Sequence, residues 1–215
     1  MKKLFLVMSL VVLVFLTGCS NNTNLEMVTV EAGTTSEDNG ALNLGYNLEL
    51  GKYEVTFSQY IDYCNDTGAK VPDDEGWGKN EQPVMNVSWF QAVQYCNWLS
   101  ETKELNKAYD TSGDKKTWKL KAKPQNLEGY RLPTKKEWEY AARGGVKGRA
   151  TKYAGSDKIH EVAWYDFNSD FKTHPVGQKK PNELGAYDMT GNVWEWTTSR
   201  KGSKKVHLGG SYNNV

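Results

Sequence analysis

Apolar side chains recur at helical spacing in three stretches of this chain. Phe57, Tyr60, Ile61 and Cys64 fall on one face of a helix predicted over residues 57–65, with Thr56 as N-cap and Gly68 as its stop. Trp89, Ala92, Val93, Cys96 and Leu99 repeat the pattern behind Ser88, flanked by Trp98, and predict the most clearly marked helix. A third begins at Thr134, where Glu137 completes a capping box. Trp138, Ala141 and Ala142 make its apolar face, and Gly144-Gly145 end it. Strand-like alternation is short: residues 27–30, residues 46–56 leading into the first helix, and residues 118–122. Residues 31–40 are turn-rich, and no long helix is expected after Gly144. The pattern predicts a loop-rich chain without internal repeats.

Eight Trp and twelve Tyr in 215 residues change the picture from a loose chain to a packed one. That much aromatic surface offsets the entropy of ordering loops, and the length suits one domain. The N-terminus departs from the rest. Lys2 and Lys3 precede an apolar run over residues 4–16, too short to span a bilayer, and Leu16-Thr17-Gly18-Cys19 has the form of a bacterial lipobox. Residues 1–18 are therefore expected to be a lipoprotein signal peptide, Cys19 the lipidation site, residues 19–26 a lipidated tether, and residues 27–215 the domain. Such a protein belongs in a bacterial cell envelope, periplasmic or surface-exposed, held to membrane by its lipid.

Removing residues 1–18 takes two lysines and no acid from 27 basic and 26 acidic side chains, leaving a net charge of about −1. No basic stretch runs through the chain, so nucleic acid is not an expected partner. Lys201, Lys204 and Lys205 read as a solvated loop. Cys64 and Cys96 sit in apolar helical contexts and read as buried thiols rather than a disulfide. His160, His174 and His207 lack the spacing of metal ligands and read as ordinary loop residues.

Residues 185–197 concentrate the candidate chemistry: carboxylates at Asp188 and Glu195, Trp194 and Trp196, and a turn-forming Gly191-Asn192 pair. Calcium takes about six to eight oxygens, which carboxylates and main-chain carbonyls of a kinked loop supply. The residues alone leave an equal reading open, in which the carboxylates cap a loop while the tryptophans fill core. In Tyr130-Arg131-Leu132-Pro133-Thr134, Pro133 disfavours helix before the cap, and Arg131 offers a fork of donors to tie loop carbonyls together.

Several further segments occur together in order: Tyr53-Glu54-Val55-Thr56, Val87-Ser88-Trp89, Tyr95-Cys96-Asn97-Trp98-Leu99, Tyr130-Arg131-Leu132-Pro133-Thr134, Glu137-Trp138-Glu139-Tyr140, His174-Pro175-Val176-Gly177 and Gly191-Asn192-Val193-Trp194-Glu195-Trp196. Over residues 27–212 the chain resembles the formylglycine-generating enzyme, or sulfatase-modifying factor, domain family. The resemblance implies an α+β fold, C-type-lectin-like, with low regular secondary structure. It also implies a structural calcium at Asp188, Gly191, Val193 and Glu195, the glycine and valine through main-chain oxygen. A second calcium site of the family has no counterpart here.

The family's activity is oxidation of a sulfatase cysteine to formylglycine by oxygen, on Cu(I) held by two cysteines that follow a Gly-Gly-Ser motif. Gly209, Gly210 and Ser211 match that motif, but Asn214 stands where the first copper cysteine is expected. A neutral amide cannot replace a thiolate on Cu(I), so copper is not expected in this chain and no catalytic residue is assigned. The second cysteine position and the family's closing segment would fall past Val215, so an incomplete C-terminus is expected. The resulting expectation is a membrane-anchored, non-catalytic member binding an unidentified protein or small ligand. Its alternative is the formylglycine-generating oxidase, with cysteines supplied by a continuation. Gly-Gly-Ser-aromatic-Asn-Asn also resembles the start of the variable region in proteins diversified by retroelements, where aromatic and amide side chains suit adaptable recognition.

Overall fold

The computed structural model describes residues 25–35 and 41–214; the expected signal peptide and Cys19 lie outside these residues. In chain order the strands are β1 (Met27–Val30), β2 (Gly33–Thr34), β3 (Asn43–Leu44), β4 (Leu48–Gly51), β5 (Tyr109–Asp110), β6 (Lys119–Leu120), β7 (Ala163–Trp164), β8 (Thr190–Gly191), β9 (Glu195–Lys201) and β10 (Lys204–Leu208). The α-helices are α1 (Phe57–Thr67), α2 (Trp89–Thr102), α3 (Lys135–Ala142) and the single turn α4 (Ile159–Val162). Strands pair only in twos: β1 with β4, β2 with β3, β5 with β6 and β9 with β10 antiparallel, and β7 with β8 parallel. This is an α+β fold with little regular structure. Among the described residues no helix is long and apolar enough to cross a membrane.

The three longer helices form where the pattern puts them, and each opens with a capping box. Thr56 and Gln59, Ser88 and Gln91, and Thr134 and Glu137 exchange side-chain and backbone hydrogen bonds. Such a cap stabilises a helix by about 1 kcal/mol, which matters in a chain with so few ladder bonds. Gly68, left-handed at φ 73°, closes α1. The aromatic stripe of α1 meets that of α2: the Tyr60 and Tyr95 rings stack at 5.2 Å, and Tyr63 sits edge-on to Trp98 at 5.5 Å. Cys64 and Cys96 are buried free thiols in this layer, and burial pushes both pKa values up.

The strands depart further from expectation. The strand predicted over residues 46–56 forms a ladder only at β4, with an isolated bridge from Thr56 to Pro83 just before α1. The one predicted over residues 118–122 shrinks to β6. The β9–β10 hairpin has no counterpart among the predicted elements. Arg131 does more than bond a loop carbonyl: it also chelates one carboxylate. Fully buried, it donates from Nη1 to Glu137 Oε2 at 2.8 Å and from Nη2 to Glu137 Oε1 at 2.5 Å, with a further bond to Leu132 O. Tyr46 and the Thr134 amide also donate to Glu137, at 2.6 Å each. A buried charge so fully paired sets where α3 begins.

Candidate functional site

The 188–195 segment threads through the fold by left-handed turns. Asp188 and Asn192 both hold φ 54° and Gly191 φ 86°. A Cβ on Gly191 would lie 2.2 Å from Trp164 O, so the β7–β8 pairing admits only glycine there. Asn192 is fully buried and joins four parts of the chain. Its amide N–H donates to Trp164 O, its carbonyl accepts from the Tyr212 amide, its Oδ1 accepts from the His174 amide, and its Nδ2 donates to Glu54 Oε2 at 2.7 Å. Glu54 Oε1 accepts the neighbouring Val193 amide at 3.0 Å.

Three carboxylates are buried together at this crossing. Asp188 is 2 % exposed; its Oδ2 accepts the Gly177 amide at 2.7 Å, while its Oδ1 has no hydrogen-bond partner among the described residues. Glu195 is 1 % exposed, and its Oε2 accepts from Trp138 Nε1 at 2.7 Å. Burial pushes Asp188 up to about 6, against the Gly177 hydrogen bond and the charge of Lys179. Burial pushes Glu195 up to about 8, with the Trp138 bond opposing and the charge of Asp188 adding to the rise. Glu54 is also raised, by burial first and then by the charges of Asp188 and Glu195, against the bonds from Val193 and Asn192. Among the described residues neither Asp188 nor Glu195 joins an ion pair. No group of three or more His, Cys, Asp or Glu stands ready for a metal in that region either. A pair of carboxylates with a free buried oxygen suits a hard cation whose other ligands are main-chain carbonyls.

Above this crossing lies a groove of about 560 Å³, bordered by Asn86, Trp194, Trp196, His207, Asn213 and Asn214. Ser211 and Asn214 form its floor as a tight turn, paired through their backbones, with Ser211 Oγ donating to Asn213 Oδ1 at 2.7 Å. Tyr212 packs edge-on to Trp77, at 5.1 Å. Gly209 and Gly210 border a second hollow of about 620 Å³, with Trp138 and Tyr153. Trp194, 42 % exposed, is the wall between the two. This corrects the expectation that both tryptophans fill core: Trp196 is half-buried and donates to Val87 O, but Trp194 faces outward. Cys64 and Cys96 line neither hollow.

Two groups escaped the sequence reading. Glu54 contacts residues 138 and 139 positions away, a separation that no local spacing signals. The histidines are also more than loop residues. His207 lies on β10 between Trp194 and Trp196, with ring centroids at 4.7 and 5.3 Å, and His174 stacks on Trp164 at 3.7 Å.

A profile of the Sulfatase-modifying factor enzyme 1-like domain matches residues 16–215. The chain is 37% identical over 236 residues to Chaperone protein LppX of Paenibacillus barcinonensis, covering 91% of this chain and 80% of that protein. It is 28% identical over 173 residues to Formylglycine-generating enzyme of Mus musculus, covering 66% of this chain but 38% of the enzyme. The crystal structure of CarF superposes with a TM-score of 0.73 at 33% identity, covering 89% of this chain and 88% of that one.

Proposed function

The chain belongs to the Sulfatase-modifying factor enzyme 1-like domain family, and from that premise we propose that it is a lipid-anchored, non-catalytic envelope protein that binds a partner in the Trp194–Asn214 groove. The observation that carries this reading is the composition of the groove. Where the enzymes would present thiolates, Asn214 is committed to the Ser211 turn, and the thiols of Cys64 and Cys96 are buried in another layer. An indole wall and an amide floor suit a peptide-like segment, whose main chain needs donors and acceptors and whose side chains need apolar surface. The name of the Paenibacillus relative, a chaperone, favours a protein as that partner. Cys19 carries the anchoring lipid.

Beneath the groove, Asp188 and Glu195 hold a structural calcium together with main-chain oxygens of Gly191 and Val193. The unpartnered Asp188 oxygen and the absence, among the described residues, of an ion pair to either carboxylate support this. Calcium there supplies charge neutralisation and fixes the turn from which Asn192 and Trp194 project.

The rival reading is cysteine oxidation, favoured by similarity to the mouse enzyme. A peptide containing Cys-x-Pro-x-Arg, incubated with the protein, copper and oxygen, is expected to keep its mass; formylglycine in that peptide sinks the non-catalytic reading. In cells, a photo-crosslinking residue at Asn213 should form protein adducts that Trp194→Ala removes. Cys19→Ala should move the protein out of the membrane fraction.

A further inference from the structure

The β9–β10 hairpin carries an arrangement that the groove does not use. Its register sets Arg200 directly opposite Lys205 and Lys201 directly opposite Lys204. Like charges at facing positions repel, and a hairpin gains nothing structural from two such pairs in succession. Lys201 and Lys204 are exposed and solvated, as the sequence suggests. Lys205 is not: it is half-buried, with its Nζ 3.0 Å from the centre of the Trp89 ring.

Arg200 and Lys205 face a cleft of about 480 Å³ whose other walls include Trp89, Tyr109, Trp118 and Leu120. Among the described residues neither cation has a carboxylate within ion-pair distance. The hydrogen bond recorded for the Arg200 guanidinium is a long one, 3.4 Å from Nη2 to Trp118 O. Asp110 on β5 pairs by register with Lys119 on β6 and is occupied by Ser112. Burial, followed by the charge of Arg200, pushes Lys205 down to about 8, the direction expected of a cation awaiting a counter-charge.

We propose that this cleft binds a phosphomonoester, its oxyanion between Arg200 and Lys205 and its apolar body against Trp118 and Leu120. An arginine fork and an ammonium are complementary to phosphate oxygens. An anion there would turn the repulsion across the hairpin into two attractions. The same headgroup chemistry occurs on soluble phosphate esters and on phosphatidic acid, and the test separates them.

Full-length protein carrying Cys19→Ala, to remove its own lipid, is titrated with phenyl phosphate and followed by tryptophan fluorescence, and is sedimented with phosphatidylcholine vesicles with and without phosphatidic acid. Saturable quenching by phenyl phosphate, weakened roughly tenfold or more by Arg200→Gln and by Lys205→Gln, assigns a soluble ester. Sedimentation only with phosphatidic acid, lost in the same variants, assigns the lipid headgroup. Melting without ligand checks that both variants are folded, since each removes a repulsion together with a contact, to Trp118 O for Arg200 and to the Trp89 ring for Lys205. The proposal is overturned if neither probe binds, or if both variants bind as tightly as the parent.

Discussion

Two places in this protein bury carboxylates, and they differ in what faces them. At the start of α3, Glu137 meets a guanidinium, a phenol and a backbone amide, so that every oxygen is engaged. Burial alone would raise its pKa, but Arg131 and the donated bonds hold it below the usual glutamate value. At the β7–β8 crossing, Asp188 and Glu195 are as deeply buried and are raised, with one oxygen unmet and, among the described residues, only the more distant charge of Lys179 acting on Asp188. The first region is closed by its own residues. The second leaves an Asp188 oxygen unmet, beneath the groove bordered by Trp194 and Asn214. Burial of charge is thus informative only with its partner in view: a buried carboxylate is fully paired in one place and only partly hydrogen-bonded in the other.

The comparison is broken most severely from the closed side. Arg131→Met should cost about 3–5 kcal/mol in denaturant unfolding, because it leaves Glu137 buried without its counter-charge. For the parent, the sign of the pH dependence follows from the depressed Glu137 pKa. Its stabilisation is present above the unfolded glutamate value and is lost as pH falls through the folded one. Acid unfolding should therefore be weaker in Arg131→Met relative to its own neutral-pH stability. Equal acid slopes for parent and variant would show that the pair is not what acid breaks.

A smaller loss is expected from Glu54→Gln, which keeps the shape but turns one acceptor into a donor facing Asn192 or Val193. About 1–3 kcal/mol should disappear, and the groove should loosen with it. Unchanged stability would mean that Glu54 does not hold the turn. The smallest effect on stability belongs to Trp194→Ala. An indole 42 % exposed should cost less than about 1–2 kcal/mol, while crosslinking from position 213 should vanish. Crosslinking unaffected by that change would move the contact surface elsewhere.

The helices were legible because their signals are local: Thr134 and Glu137 are three residues apart and carry the cap themselves. Asp188 and Glu195 sit in one short motif, but their burial at one crossing with Glu54 appears only in the fold. The β9–β10 hairpin was not legible, because its residues do not alternate between apolar and polar; Thr197 is buried as deeply as any core side chain, and Lys205 lies on an indole. Glu54 was hidden for a different reason. Its partners come from the far end of the chain, and only the fold supplies that proximity. The basic cleft was hidden in the same way, since Arg200, Lys205 and Trp118 are separate in sequence and share a wall only in space.

The central claim is that the Asp188–Glu195 segment is a cation-holding framework beneath a binding groove. Thermal melting of the full chain in calcium and in a calcium chelator tests it most directly. With calcium at a hundredfold excess over its Kd, the stabilisation should be about 2.7 kcal/mol. The melting temperature should fall on chelation and recover when calcium is restored, and Asp188→Asn should shrink the difference. Superimposable melting curves with and without calcium would contradict the account.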